Sequence, residues 1–174
     1  TGEMHDLIDV ATDQSLALAT NEDFRLLAKA MDEEGVYAGF LSDVTLDVED
    51  HIYPLVGGIG LPLDTYLALQ DRFESLALDP FDAFGIGVSY DGSDYFAVIS
   101  VVYDDERGAE DNVLAAGRIF VDGFSLSRDR RWTEYLRNPE VRVNGRILIA
   151  TAEMDNPATW VRMIDDKDLI FFHK

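Results

Sequence analysis

There is no cysteine among the 174 residues, so disulfides, thiolate nucleophiles and cysteine metal sites are all excluded. Lysine is nearly absent too: Lys29, Lys167 and Lys174 are the only three, and 34 acidic residues face 14 basic ones. The resulting net charge of −20 argues against binding to nucleic-acid phosphates or to an anionic membrane surface, which would repel the chain. Long apolar runs are missing as well. The longest, 95–103, falls far short of the roughly 20 residues that cross a bilayer, so membrane insertion is not expected. Histidine is limited to His5, His51 and His173, with no two at helical ligand spacing. His51, beside Glu49 and Asp50, reads as an exposed histidine. No Gly-x-Ser-x-Gly elbow occurs, and the glycines of 57–60 lack the Lys-Ser/Thr of a phosphate-binding loop.

What is present is globular: 47% apolar and 28% charged residues. A domain of this length buries roughly 70% of its unfolded surface and needs no metal or disulfide staple. Residues 1–14 are expected as an N-terminal extension without fixed structure, and 15–174 as one α+β domain. Asp9 and Asp13 interrupt the mildly apolar start, so no export signal reads there. An aspartate-rich, lysine-poor surface suits high salt, and biased codon usage produces it equally well. The cysteine-free composition suggests an extracytoplasmic or cell-surface location, with the cytoplasm as the alternative.

The pattern predicts a strand at 15–20, a helix capped by Thr20 and stopped at Gly35, and a strand at 36–41. These form a β-α-β unit with parallel strands. Residues 43–60 read as an acidic, ambiguous stretch ending in a glycine loop, and 63–76 as a helix opened by Pro62. The clearest feature is a hairpin of 84–90 and 95–103 joined by Asp91-Gly92-Ser93-Asp94. The apolar second strand belongs at the centre of a sheet. Gly85 and Gly87 suggest a bulge or close helix packing. An amphipathic helix follows over 109–123, with Val113, Ala116, Phe120 and Val121 towards the core. After an irregular 128–137 comes a second hairpin, 141–149, with an Asn-Gly turn, then a helix opened by Asn156-Pro157 and a closing strand at 169–172. The expected fold is α+β: a mixed, mainly antiparallel sheet with helices packed on it. The Ala-Thr strand ends at 19–20 and 150–151 suggest duplicated β-α-β units flanking the central hairpin.

Carboxylates cluster at three places: Asp43, Asp47, Glu49 and Asp50; Asp104, Asp105, Glu106, Glu110 and Asp111; and Asp165, Asp166 and Asp168. Asp104, Asp105 and Glu106, between a strand and a helix, are the candidate calcium ligands, since calcium takes several convergent oxygens. Solvated charges at helix N-termini are the competing explanation, and no cofactor is otherwise expected. Tyr53, Tyr66, Trp132 and Tyr135 are the aromatic candidates for a groove. Trp132 and Tyr135 stand beside Arg128, Arg130 and Arg131, the concentrated basic patch of the chain, and Arg with Trp is a common interface anchor. Trp132, Tyr135, Arg128 and Arg131 are therefore the candidate residues for binding a protein or small-ligand partner. The absence of catalytic motifs favours a non-catalytic binding or interaction domain. A carboxylate-dependent hydrolase, with or without calcium or magnesium, and an acidic nucleic-acid mimic for a basic partner are the rival functions.

Overall fold

The computed structural model describes residues 21–43, 46–47, 60, 62–125, 130–158 and 172–173. Helix α1, Glu22–Glu33, starts at Asn21, whose side chain accepts from the Asp23 and Phe24 amides at 2.9 and 3.4 Å. Asn21 therefore takes the capping place expected of Thr20: its amide oxygen reaches N2 and N3 directly. Gly35, at φ +67°, ends the helix as expected. Strand β1, Val36–Ser42, follows, and then β2, the residue pair Leu46–Asp47. Helix α2 is Leu63–Leu76. The central hairpin consists of β3, Ala83–Tyr90, and β4, Tyr95–Val102. Helices α3, Glu106–Asp111, and α4, Val113–Asp122, come next. Short strands β5, Phe124–Ser125, and β6, Arg130–Arg131, pair with each other and lead to a 3-10 turn, Trp132–Glu134. A second hairpin of β7, Leu136–Asn144, and β8, Ile147–Met154, precedes β9, Phe172–His173.

The main sheet has five strands in the order β1-β3-β4-β8-β7, and every neighbouring pair is antiparallel. The α+β class holds. The expected parallel pairing of 15–20 with 36–41 involves a strand outside the described residues; among those described, β1 runs antiparallel to β3, and the parallel pair is the short β2–β9. A tight hairpin suffices to join antiparallel neighbours, whereas a parallel pair needs a long crossover. The expected strand at 15–20, most of 43–60, and most of 157–171 lie outside the described residues.

The sheet is covered on both faces. Leu27 and Ala30 of α1 pack on one face, against Ala83, Val102, Ile147 and Ile149, and Met31 of the same helix lies over Gly85 and Gly87. On the opposite face α3 and α4 close over Ile86, Val88, Ala97, Ile99, Val101, Leu148 and Ala150, and α2 rests against α4. Strand β4 lies third of five and is buried from Ala97 to Val102, as its continuous apolar run requires. Gly85 serves close helix packing. A Cβ there would stand 2.6 Å from Met31 Sδ and 2.8 Å from Leu41 Cδ2.

The helix expected at 109–123 is two helices, broken at Asn112. Its buried side chain donates from Nδ2 to the Gly108 carbonyl at 2.9 Å and to Asp79 Oδ2 at 3.3 Å, and its Oδ1 accepts from the Asp79 amide at 2.8 Å. Side-chain bonding back to a carbonyl four residues earlier competes with the helical ladder, and here it also ties the helices to the segment entering β3. Within α4 the core residues are Ala116, Ile119 and Phe120, while Leu114 and Val121 are exposed. At about 100° per residue Val121 lies five steps from Ala116 and cannot share its face.

The second hairpin turns one residue later than its Asn-Gly pair suggests. Asn144 pairs with Ile147, leaving Gly145 and Arg146 as a two-residue loop. Gly145 has φ +60°, the sign a II′ turn requires at its first central position. No described helix is long and apolar enough to cross a membrane.

Candidate functional site

The aromatic pair expected at an interface sits mostly inside the molecule. Trp132 is 4% exposed and belongs to the main core; its amide donates to the Gly123 carbonyl at 2.9 Å. Tyr135 is half-buried against the same core. Its hydroxyl and Trp132 Nε1 are buried without hydrogen-bond partners among the described residues. Arg131 is exposed, and its amide donates to Glu134 Oε1 at 3.3 Å. Arg128 lies outside the described residues. The two rings thus join the core to the edge of the α3–α4 layer, and of the described members of this set Arg131 is displayed at the surface.

The candidate metal ligands do not gather. Asp105 caps α3, accepting from the Gly108 amide at 2.8 Å, and Glu106 occupies the first helical turn. Both positions satisfy or complement the N-terminal amides of the helix. Among the described residues no group of three or more carboxylates and histidines is arranged to hold an ion. The Asp91–Asp94 loop is a self-bonded turn: Asp91 Oδ1 accepts from the Ser93 amide, the Ser93 hydroxyl and the Asp94 amide at 2.9, 3.0 and 2.9 Å. These bonds, led by that from the Asp94 amide, hold the Asp91 carboxyl below its ordinary value.

Sequence reasoning did not find Arg146. From the second position of the β7–β8 turn, its guanidinium reaches Asp23 at 2.6 Å, the Tyr103 carbonyl at 3.0 Å and Asp82 at 3.6 Å. One side chain thereby joins the start of α1, the entry to β3, the end of β4 and the second hairpin. Burial, then the charges of Asp104 and Asp23, raise the Asp82 carboxyl above its ordinary value, while Arg146 pulls it down. An open cleft of about 330 Å³ adjoins this cluster between α1 and the turn, lined by Leu26, Lys29, Ala30, Glu33, Asn144 and Arg146 among others. Its charges are largely answered within the molecule: Lys29 lies 3.7 Å from Glu33, and Arg146 is held by Asp23.

The two edges of the main sheet differ sharply. Edge strand β7 carries Arg137, Glu140 and Arg142, includes Pro139, and slips register between Arg137 and Glu140, with Asn138 at φ +47°. Arg142 is paired with Glu34, and Arg137 with Asp155 at 2.5 Å. Charge, proline and a bulge are the devices that keep an edge from pairing with another strand. Edge strand β1, Val-Tyr-Ala-Gly-Phe-Leu-Ser, has neither charge nor proline. Its register slips once, at Tyr37, and then runs regularly over 38–42. Tyr37 is 61% exposed and Phe40 40% exposed. Phe40 is also anchored: its ring packs edge-to-face on Phe84 at 6.1 Å, Phe84 on Phe81 at 6.1 Å, and Phe81 on Tyr103 at 6.3 Å. A row of aromatic rings thus runs from the core to the β1 edge. Among the described residues no strand pairs along the outer side of β1.

Compared with known protein families, curated proteins and solved structures, the chain matches none of them.

Proposed function

We propose that this chain is a non-catalytic protein-interaction domain whose docking element is the outer edge of β1. The observation that carries the reading is the contrast between the two edges. β7 bears the protections expected of an edge meant to stay alone, whereas β1 offers uncharged backbone flanked by the exposed rings of Tyr37 and Phe40. An extended segment added there would gain main-chain hydrogen bonds for affinity. Alternate side chains of that segment would meet Phe40 on one face and Leu41, on the α1 side, on the other.

The test uses a fluorescent, uncharged heptapeptide of alternating valine and threonine, read by anisotropy and by hydrogen exchange of the protein amides. The expected result is saturable binding that slows exchange over 37–41 and leaves β7 unchanged. Tyr37→Lys places a charge on the edge and should abolish binding, while stability stays within about 0.5 kcal/mol because the site is exposed. Failure of the peptide to slow exchange in β1 would overturn the reading. So would binding that Tyr37→Lys leaves intact.

A further inference from the structure

The two sheet edges also divide the charge of the chain. Residues 30–106, which supply β1, β3, β4 and α2, contain 17 acidic residues and a single basic one, Arg72. Residues 107–146, which supply α4, β7 and all of α3 but Glu106, contain eight arginines and six acids. The antiparallel register fixes where part of this acidity falls. Val36 pairs with Ser89, so the Asp91–Asp94 turn projects at the same end of β1 as Glu33 and Glu34 of the preceding helix end. Ser42 pairs with Phe84 at the other end, where Asp43 and Asp82 follow. Of these groups Glu34 is paired with Arg142, Glu33 faces Lys29, and Asp82 lies near Arg146; Asp43, Asp91 and Asp94 are exposed with no ion pair to a basic side chain among the described residues. The uncharged centre of β1 is thus bounded by carboxylates at both ends.

Resting on the docking function proposed for β1, we infer that its partner is an extended segment of another protein, apolar at alternate positions and carrying lysine or arginine at both ends. The same charges disfavour a second copy. Two β1 edges brought together would oppose acidic ends on chains that each carry −20. Pairing β1 with the β7 edge of another copy would meet Pro139, which has no amide hydrogen to donate, and the bulge beside it. Basic ends on the incoming segment would answer the acidic ends of β1, steer its approach and fix its register.

The experiment compares three peptides with one valine-threonine core, ended by two lysines, two serines or two glutamates on each side. Binding is read by anisotropy at 50 mM and 1 M sodium chloride, with hydrogen exchange of the free protein and sedimentation alongside. The lysine-ended peptide should bind about tenfold or more tighter than the glutamate-ended one at low salt. The difference should collapse at 1 M, where the Debye length falls to about 3 Å. The double variant Glu33→Lys/Asp43→Lys, changed at exposed positions outside the strand, should narrow or reverse the ranking. Equal binding of all three peptides would overturn the inference about basic ends while leaving β1 as a docking edge. If no peptide binds, docking at β1 fails with it. Full protection of 37–41 in the free monomer would show the edge covered by the chain itself and would overturn both. A dimer that the peptides dissociate would make a second copy the occupant and overturn the basic partner.

Discussion

Replacing Asn112 by alanine is the sharpest test of how the helical layer is held to the sheet. Asn112 is 2% exposed, and its amide makes three hydrogen bonds: one accepted from the Asp79 amide, two donated to the Gly108 carbonyl and the Asp79 carboxylate. Alanine removes all three and takes the partners from a backbone donor and a backbone carbonyl in a site nearly closed to water. Each polar group so stranded costs about 1–3 kcal/mol, so the variant should lose roughly 2–4 kcal/mol. For a domain of this length that corresponds to a fall in Tm of about 4–16 °C. Equilibrium urea unfolding measures it. A companion variant, Asn112→Asp, keeps an acceptor for the Asp79 amide but sets a second carboxylate against Asp79. Both carboxyls would then resist ionisation in the folded state. Stability would be highest in acid and would fall as pH rises past the ordinary carboxyl range. A loss below about 0.5 kcal/mol for the alanine variant would refute the reasoning. So would an aspartate variant as stable as the wild type at pH 7.

Three further outcomes follow from the same geometry. Arg146→Met should cost roughly 2 kcal/mol, because it removes a charged hydrogen bond to Asp23 and one to the Tyr103 carbonyl and leaves Asp23 and Asp82 facing each other; urea unfolding at low and high salt should show the loss shrinking with screening. Asp82→Asn should flatten the pH dependence as pH rises past the ordinary carboxyl range. The folded Asp82 carboxyl is raised above its ordinary value, so the native state binds more protons there. Its contribution is fully present below the unfolded pKa and is lost as pH rises through the folded one, which a Tm series across that range would detect. Gly85→Ala should cost about 1–3 kcal/mol by crowding Met31 and Leu41, and the penalty should shrink in a Met31→Ala background when the two are compared in a double-mutant cycle.

Much of the fold was legible because it is written locally. The Asp91-Gly92 turn between two β-branched, aromatic runs specified the central hairpin, and the unbroken apolar character of β4 specified its place inside the sheet. Gly35 marked the end of α1 for a backbone reason, its positive φ. The failures are equally physical. Thr20 and Asn21 are both good caps, and which one binds the first amides depends on where the backbone leaves its extended conformation. Asn112 looked like one polar residue on an amphipathic helix; its partner, Asp79, lies 33 residues away, and no periodicity reports that. The parallel β-α-β expectation turns on 15–20, outside the described residues; that β1 also pairs with β3, across the whole of α2, is a long-range choice no local pattern reports.

The edge proposed for docking was illegible for a different reason. Whether a strand is central or terminal depends on the order of pairing, and the sequence of β1 resembles that of an interior strand. Its lack of charge, read alone, predicts burial. Only once the order β1-β3-β4-β8-β7 is known does the same composition become, among the described residues, an outer edge without charge or proline, while Arg137, Pro139 and Arg142 in β7 become protections. Trp132 shows the converse. Beside three arginines it looks like an interface anchor, but the 3-10 turn directs its ring against Gly123 and into the core, with Arg130 and Arg131 left outside. Residue chemistry nominated the arginine patch, whereas topology nominates β1. Where the two disagree, topology carries more weight for a docking surface, because an anchor that is already buried has little area left for a partner.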